Sequence, residues 1–306
     1  MGKIKYPFFI LAGVSAAVAL FLALTGLGRD HGRMAGAAFS KDDKVAVVEL
    51  SGVMTSSQDI GSRAVSARKI IQQLEKYRTD DSVKAIVLRL DTPGGTVVAA
   101  QEIHGELMRL RAGNGKKIVV SMGDLAASGG YYVACAADKV FASPGTLTGS
   151  IGVIMQFPNY QALFGKIGVA TNTIKSGEFK DIGNGAREMS DRDRALLQSL
   201  VNDVYVQFVE AVAAGRRMSP EAVRTLADGR VFSGRQAKLF GLVDELGDLD
   251  AAIAAAAKLA GIAGTPHVIR ETPRRGLWEL LDARMAGIFP SALDTNTQAR
   301  LLYLWQ

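Results

Sequence analysis

The sequence predicts an α/β domain with a largely parallel sheet, carried behind one apolar span. Three observations predict it. From residue 45 onward, short runs rich in Val, Ile and Leu alternate with longer runs that repeat apolar residues at helical spacing. Residues 7–28 hold no charge and are long enough to cross a bilayer core as a helix. A strand-like run, 117–121, enters a turn of small residues around Ser128, and a helix-like run, 131–137, leaves it.

Lys3 and Lys5 precede the apolar span, and Arg29 and Arg33 follow it. The span exceeds the apolar stretch of about 7–15 residues in a cleaved leader, which favours a retained anchor over 1–28. Met34-Ala-Gly-Ala-Ala38 does offer small residues for cleavage. The short basic N-terminus leans towards a cytoplasmic start and a main domain outside the cytoplasm. Residues 29–44 are Gly, Ala and charge, a flexible tether.

The main domain follows in order. Residues 45–50 are a strand, 62–77 a helix, and 84–90 a strand that runs into Asp91-Thr-Pro-Gly-Gly95. Residues 97–110 are a helix with Ile103, Leu107 and Leu110 on one face. After the Ser128 turn, 140–142, 150–154 and 169–174 are short strands. Ser190-Asp-Arg-Asp193 resembles a capping box. Behind it Leu196, Leu197, Leu200, Val201, Val204, Tyr205, Phe208, Val209 and Val212 form a helical stripe for a core or a subunit interface, with Gly215 as the stop. Ser219-Pro220 and Ser233-Gly-Arg-Gln236 start further helices, and the Ala-rich run 250–259 closes the domain.

Beyond residue 262, Pro266, Pro273 and Pro290 break up a tail. Its apolar clusters, 277–281 and 301–305, fit a domain or oligomer contact. A bolder reading seats the terminal cluster in a substrate groove or on the membrane.

Composition excludes several functions. The chain has 306 residues, enough for a sizeable core. Its net charge of +6 is spread without a basic patch, which argues against nucleic acid as a partner. The one cysteine, Cys135, permits no internal disulfide and reads as a small buried hydrophobe. His31, His104 and His267 are isolated, with no HExxH or paired CxxC, so neither a metal nor a cofactor is expected.

The chemistry centres on Ser128. Strand, small-residue turn, serine and helix make a nucleophile elbow, although Ala126-Ala127-Ser128-Gly129-Gly130 departs from Gly-x-Ser-x-Gly. The plainer alternative is a helix-capping serine. A serine nucleophile needs a base. His104, in a helix without a motif linking it to Ser128, reads as an ordinary helix residue. A lysine serves if burial or a neighbouring cation lowers its pKa. Lys175-Ser-Gly-Glu-Phe-Lys180-Asp-Ile offers two candidates, between which the residues alone do not choose. Gly94-Gly95 presents bare backbone N–H groups suited to an oxyanion, or forms a simple Pro-Gly turn.

Ala127-Ser-Gly-Gly-Tyr-Tyr132 resembles the active-site segment of the signal peptide peptidase A family, which are bacterial membrane-anchored serine peptidases. The similarity continues through Asp91-Thr-Pro-Gly-Gly95, Thr148-Gly-Ser-Ile-Gly152, the Lys175–Ile182 segment and Gly229-Arg-Val-Phe-Ser-Gly-Arg-Gln-Ala237, in order, over residues 45–262. The resemblance implies a crotonase/Clp-protease-like fold of repeated β-β-α units. It places the general base on Lys180 and leaves Lys175 structural. It makes the N–H groups of Gly95 and Gly129 the oxyanion donors. Ser150 is the candidate acceptor that orients the lysine. The implied substrates are remnant signal peptides and other hydrophobic peptides, cleaved by a homo-oligomer. The alternatives are a related membrane peptidase with other substrates, an acyl-CoA-binding protein of the crotonase type, and a non-enzymatic scaffold.

Overall fold

The computed structural model describes residues 43–56 and 64–271, and the backbone of 302–304. The expected anchor at 1–28 lies outside the described residues, as do nearly all of the tether and most of the tail. Among the described residues no helix is long and apolar enough to cross a membrane.

The main sheet is built from β1 (Lys44–Ser51), β4 (Val83–Thr92), β6 (Lys117–Ala127), β7 (Lys139–Ala142), β8 (Leu147–Gly149), β9 (Val231–Ser233), β10 (Glu245–Leu246) and β11 (His267–Arg270). Its order is β10-β7-β6-β4-β1-β11, with β8 joining β6 and β9 pairing with β8. Every pairing is parallel except that of β8 with β9. The central strands are buried on both faces, which is why they read as nearly unbroken apolar runs. Alternation still divides them. Val45, Val47, Ala85, Val87 and Val119 meet Ala252, Ile253, Ala256 and Ala257 of α8 (Leu249–Leu259).

The other face carries Val48, Leu50, Ile86, Leu88, Leu90 and Val120. These pack with α1 (Ala67–Thr79), α2 (Val97–Asn114), α3 (Gly129–Ala134) and α5 (Asp191–Arg216). Each fully buried Leu or Ile there contributes about 1.5–3 kcal/mol relative to exposure. Shorter helices are α4 (Gln161–Lys166), α6 (Pro220–Arg224) and α7 (Gly234–Leu239). A small second sheet runs β3-β2-β5-β12, from β3 (Val65–Ser66), β2 (Met54–Thr55), β5 (Gly94–Thr96) and β12 (Leu302–Leu304).

The α/β class with a parallel sheet is as expected, while several element bounds are corrected. The helix expected from residue 62 begins at Ala67, because Val65 and Ser66 pair with Met54 and Thr55 instead. The expected strand 150–154 is displaced to Leu147–Gly149, where β6 and β9 supply partners. The run 169–174 forms no strand and lies exposed. Gly215 does not stop α5, which continues to Arg216 and ends where Arg217 takes φ 55°. A Cβ at Gly215 would stand 2.2 Å from the Cys135 carbonyl oxygen, so this glycine serves close packing.

Candidate active site

β4 and β6 lie side by side and parallel, so both chains leave the sheet at the same end, the end where α/β sheets bind ligands. Thr92 pairs with Ala126 at that end. Past Thr92 the chain turns through Gly94, at φ 108°, into β5. Past Ala127 it turns through Ser128 into α3.

Thr92 locks these two exits together. Its hydroxyl donates to the Gly52 carbonyl at 2.6 Å and accepts from the Gly94 N–H at 3.0 Å. Its methyl group faces Gly130, where a Cβ would come within 2.7 Å. Gly95 is still tighter: a Cβ would meet the Met54 carbonyl oxygen at 2.0 Å. Only glycine lets β5 lie this close to β2.

Ser128 is buried and sits at φ 53°, ψ −116°, a backbone region that non-glycine residues rarely adopt. Two backbone bonds hold it there. Its N–H donates to the Gly149 carbonyl at 2.8 Å, and its carbonyl accepts from the Tyr132 N–H at 2.9 Å. Its hydroxyl makes no capping bond to the helix that follows, so the capping role does not account for it. The strand, strained serine and helix have the order and backbone strain of a nucleophile elbow. Ser150, next to Gly149, is the second strained serine, at φ 49°, with its N–H donated to the Arg230 carbonyl at 2.9 Å.

The fold therefore brings Ser128, Gly129 and Ser150 together through the Gly149 bond, and interlocks them with the Gly95 arm through Thr92. Lys180 is exposed, on the 3-10 turn Glu178–Asp181. Its side chain has no hydrogen bond or ion pair with another described residue. Lys175 is engaged, donating to the Glu178 carbonyl at 2.8 Å and to Asp181 at 2.7 Å.

His104 packs on the Tyr132 ring at 5.0 Å, and burial lowers its pKa. The Cys135 thiol is buried, and burial pushes its pKa up to about 12, which leaves it unreactive at neutral pH. Tyr131, fully buried, donates its hydroxyl to the Leu242 carbonyl at 2.9 Å and so pins α3. Thr92 is the residue that sequence reasoning missed; its place between Asp91 and Pro93 marks it only as part of a turn. The C-terminal strand adds a further feature. β12 pairs antiparallel with β5, with Tyr303 opposite Gly95.

The sequence matches two protein-family models and several known proteins. The model for peptidase family S49 matches residues 111–263, and the Clp protease model matches residues 45–148. A putative protease of Synechocystis sp. is 42% identical over 219 residues, covering 72% of this chain and 75% of the relative. A putative signal peptide peptidase SppA of Enterococcus faecium is 36% identical over 211 residues, 68% of this chain and 61% of the relative. The chloroplastic serine protease SPPA of Arabidopsis thaliana is 32% identical over 224 residues, 72% of this chain and 33% of the relative. The chain thus spans less than two thirds of the latter two. With these family matches and relatives of this kind, the chain belongs to peptidase family S49, the signal peptide peptidase A family of serine proteases.

Proposed function

We propose that the protein is a membrane-anchored Ser/Lys endopeptidase that degrades remnant signal peptides and other hydrophobic peptides. The observation that carries this reading is the strained, buried Ser128 at the shared exit of β4 and β6. Neutral Lys180 takes the proton from the Ser128 hydroxyl, and the oxygen attacks a peptide carbonyl. The N–H groups of Gly95 and Gly129 hold the oxyanion, each worth about 100- to 1,000-fold in rate. Lys180 then protonates the leaving amine, and water activated by the same lysine releases the acyl-enzyme. Ser150 orients the lysine amine. The chemistry needs no metal or cofactor.

The successive β1-β2-β3-α1 and β4-β5-α2 units support the crotonase/Clp-protease-like description. A homo-oligomer is supported by the segment 152–190, whose Leu163, Ile167, Val169 and Ile174 are exposed on the single chain. Packing that segment against a second copy would bury these side chains and desolvate Lys180. The apolar run 7–28 supports a membrane anchor, with the catalytic domain on the extracytoplasmic side.

The pairing of β12 with β5 supports the seating of the tail in the substrate groove. An extended peptide entering beside Gly95 would add to β5 by the same backbone bonds. The tail therefore competes with substrate.

The test is hydrolysis of a hydrophobic fluorogenic peptide by the full chain in detergent. Ser128→Ala and Lys180→Ala should each lose at least about 1,000-fold with the assembly unchanged. Full activity in either variant removes that residue from the mechanism. Deleting 297–306 should lower KM severalfold. An unchanged KM would show that the tail does not occupy the groove.

A further inference from the structure

The turn that carries Lys180 presents four side chains, and three of them are tied. Glu178 pairs with the Arg192 guanidinium at 2.8 Å. The same guanidinium lies over the Phe179 ring, 5.7 Å from its centre. Asp181 accepts from Lys175 at 2.7 Å and from Arg187 at 2.9 and 3.0 Å. Lys180 alone of the four is left without such a tie among the described residues.

Arg187 is also fixed at its other end. It donates to Asp193 at 2.5 Å. Asp193 is buried and closes the capping box of α5: its carboxylate accepts from the Ser190 N–H, and its own N–H donates to the Ser190 hydroxyl, both at 3.1 Å. Helix α5 in turn packs Phe208 edge-on against Tyr132, 5.3 Å away, in the helix that follows Ser128. A continuous series of contacts therefore runs from the Ser128 helix along α5 to Arg187 and the lysine turn.

The electrostatics follow the same geometry. The charged groups around the turn are Lys175, Glu178 and Asp181 on its own segment, and Arg187, Arg192 and Asp193 at and beyond the start of α5. Each carboxylate has a cation partner, and Arg187 is shared by Asp181 and Asp193. Asp181, next in sequence to Lys180, is held well below the usual carboxylate range, first by Arg187 and then by Lys175.

We propose that Arg187 is a positioning residue for the catalytic lysine: it holds the Asp181 carboxylate away from Lys180 and ties the lysine turn to the start of α5. The proposal rests on the reading of Lys180 as the base. A free carboxylate beside that base would favour its protonated form. Arg187 supplies the competing partner, in a bidentate geometry that lysine does not reproduce. Nothing in the family resemblance or the comparisons assigns Arg187 a role.

The test is kcat/KM against pH, from 6 to 10, for the full chain in detergent with a hydrophobic fluorogenic peptide. The variants are Arg187→Ala, Arg187→Lys, Arg187→Ala with Asp181→Asn, and Lys180→Ala. In Arg187→Ala the rising limb should move up by about one pH unit, with about tenfold lower activity at pH 7 and a smaller deficit at high pH. Asp181→Asn in the same chain should move the limb back, and Arg187→Lys should lie between. A loss that is equal at every pH and not relieved by Asp181→Asn overturns the proposal, since a merely structural arginine behaves that way. Melting curves and oligomer size show whether each variant is folded. An inactive Lys180→Ala beside an unmoved limb in Arg187→Ala rejects the role of Arg187 alone. A fully active Lys180→Ala rejects the base assignment itself.

Discussion

The two halves of the proposed dyad are held by different physics. Ser128 is buried, strained and fixed by backbone bonds within a packed sheet end. Lys180 is exposed, on a turn fixed by ion pairs and one cation–aromatic contact. Packing and backbone bonds hold Ser128 and depend little on salt or pH. A charge network at the surface is softer and is weakened by both. The difference suits the two roles. An oxyanion site must be in place before reaction. A lysine base must lose its hydration, and an exposed turn can be covered by a neighbouring copy or by substrate.

The most severe test of this contrast is an added methyl group on each side. At Gly95 a Cβ meets backbone, the Met54 carbonyl oxygen at 2.0 Å, and no side-chain rotation can relieve it. Gly95→Ala should therefore push β5 from β2, cost at least about 100-fold in kcat/KM and lower the melting temperature. At Gly177, where the lysine turn starts, an added Cβ would meet nothing within 4 Å, and φ is an extended −155°. Gly177→Ala should leave stability within about 0.5 kcal/mol of the parent. Equal melting temperatures for the two variants would break the contrast.

The same contrast governs what the sequence made legible. The elbow could be read because its cause is local: small residues at Ala126, Ala127, Gly129 and Gly130 flank one serine between a strand pattern and a helix pattern. The main sheet could be read because central strands show as apolar runs. The second sheet could not, since β2, β3, β5 and β12 are two or three residues long and have no period to detect. The run 169–174 failed for the opposite reason. Val169, Thr171, Thr173 and Ile174 favour strands, but the run has no partner strand among the described residues, and pairing decides. Gly215 read as a helix stop because its use, room for the Cys135 carbonyl, is a long-range contact. The strain at Ser150 and the ties of Arg187 are likewise set by partners distant or aperiodic in sequence. Gly95, Gly129 and Lys180 came from family resemblance, and their roles stand as the proposal above.

A gentler perturbation separates the two regions by acid. Asp193 has its pKa lowered to about 2, first by its bond to Arg187, and Asp181 is lowered further still. A carboxylate depressed in the folded state stabilises the fold at pH values above its ordinary pKa near 4. That contribution fades as pH falls towards the folded value. The lysine turn and the start of α5 should therefore loosen between about pH 4 and pH 2. The bonds that hold Ser128 are between backbone groups, which do not titrate there. Amide exchange at pH 5 and pH 2.5, corrected for intrinsic rates, should show protection falling at Ile182 and Asp193 while Ser128 and Tyr132 keep theirs. Added salt should weaken the first pair at pH 5 and spare the second. Parallel loss in both regions would mean that the turn and the elbow open as one unit, and that α5 transmits the release of Asp193 to Tyr132.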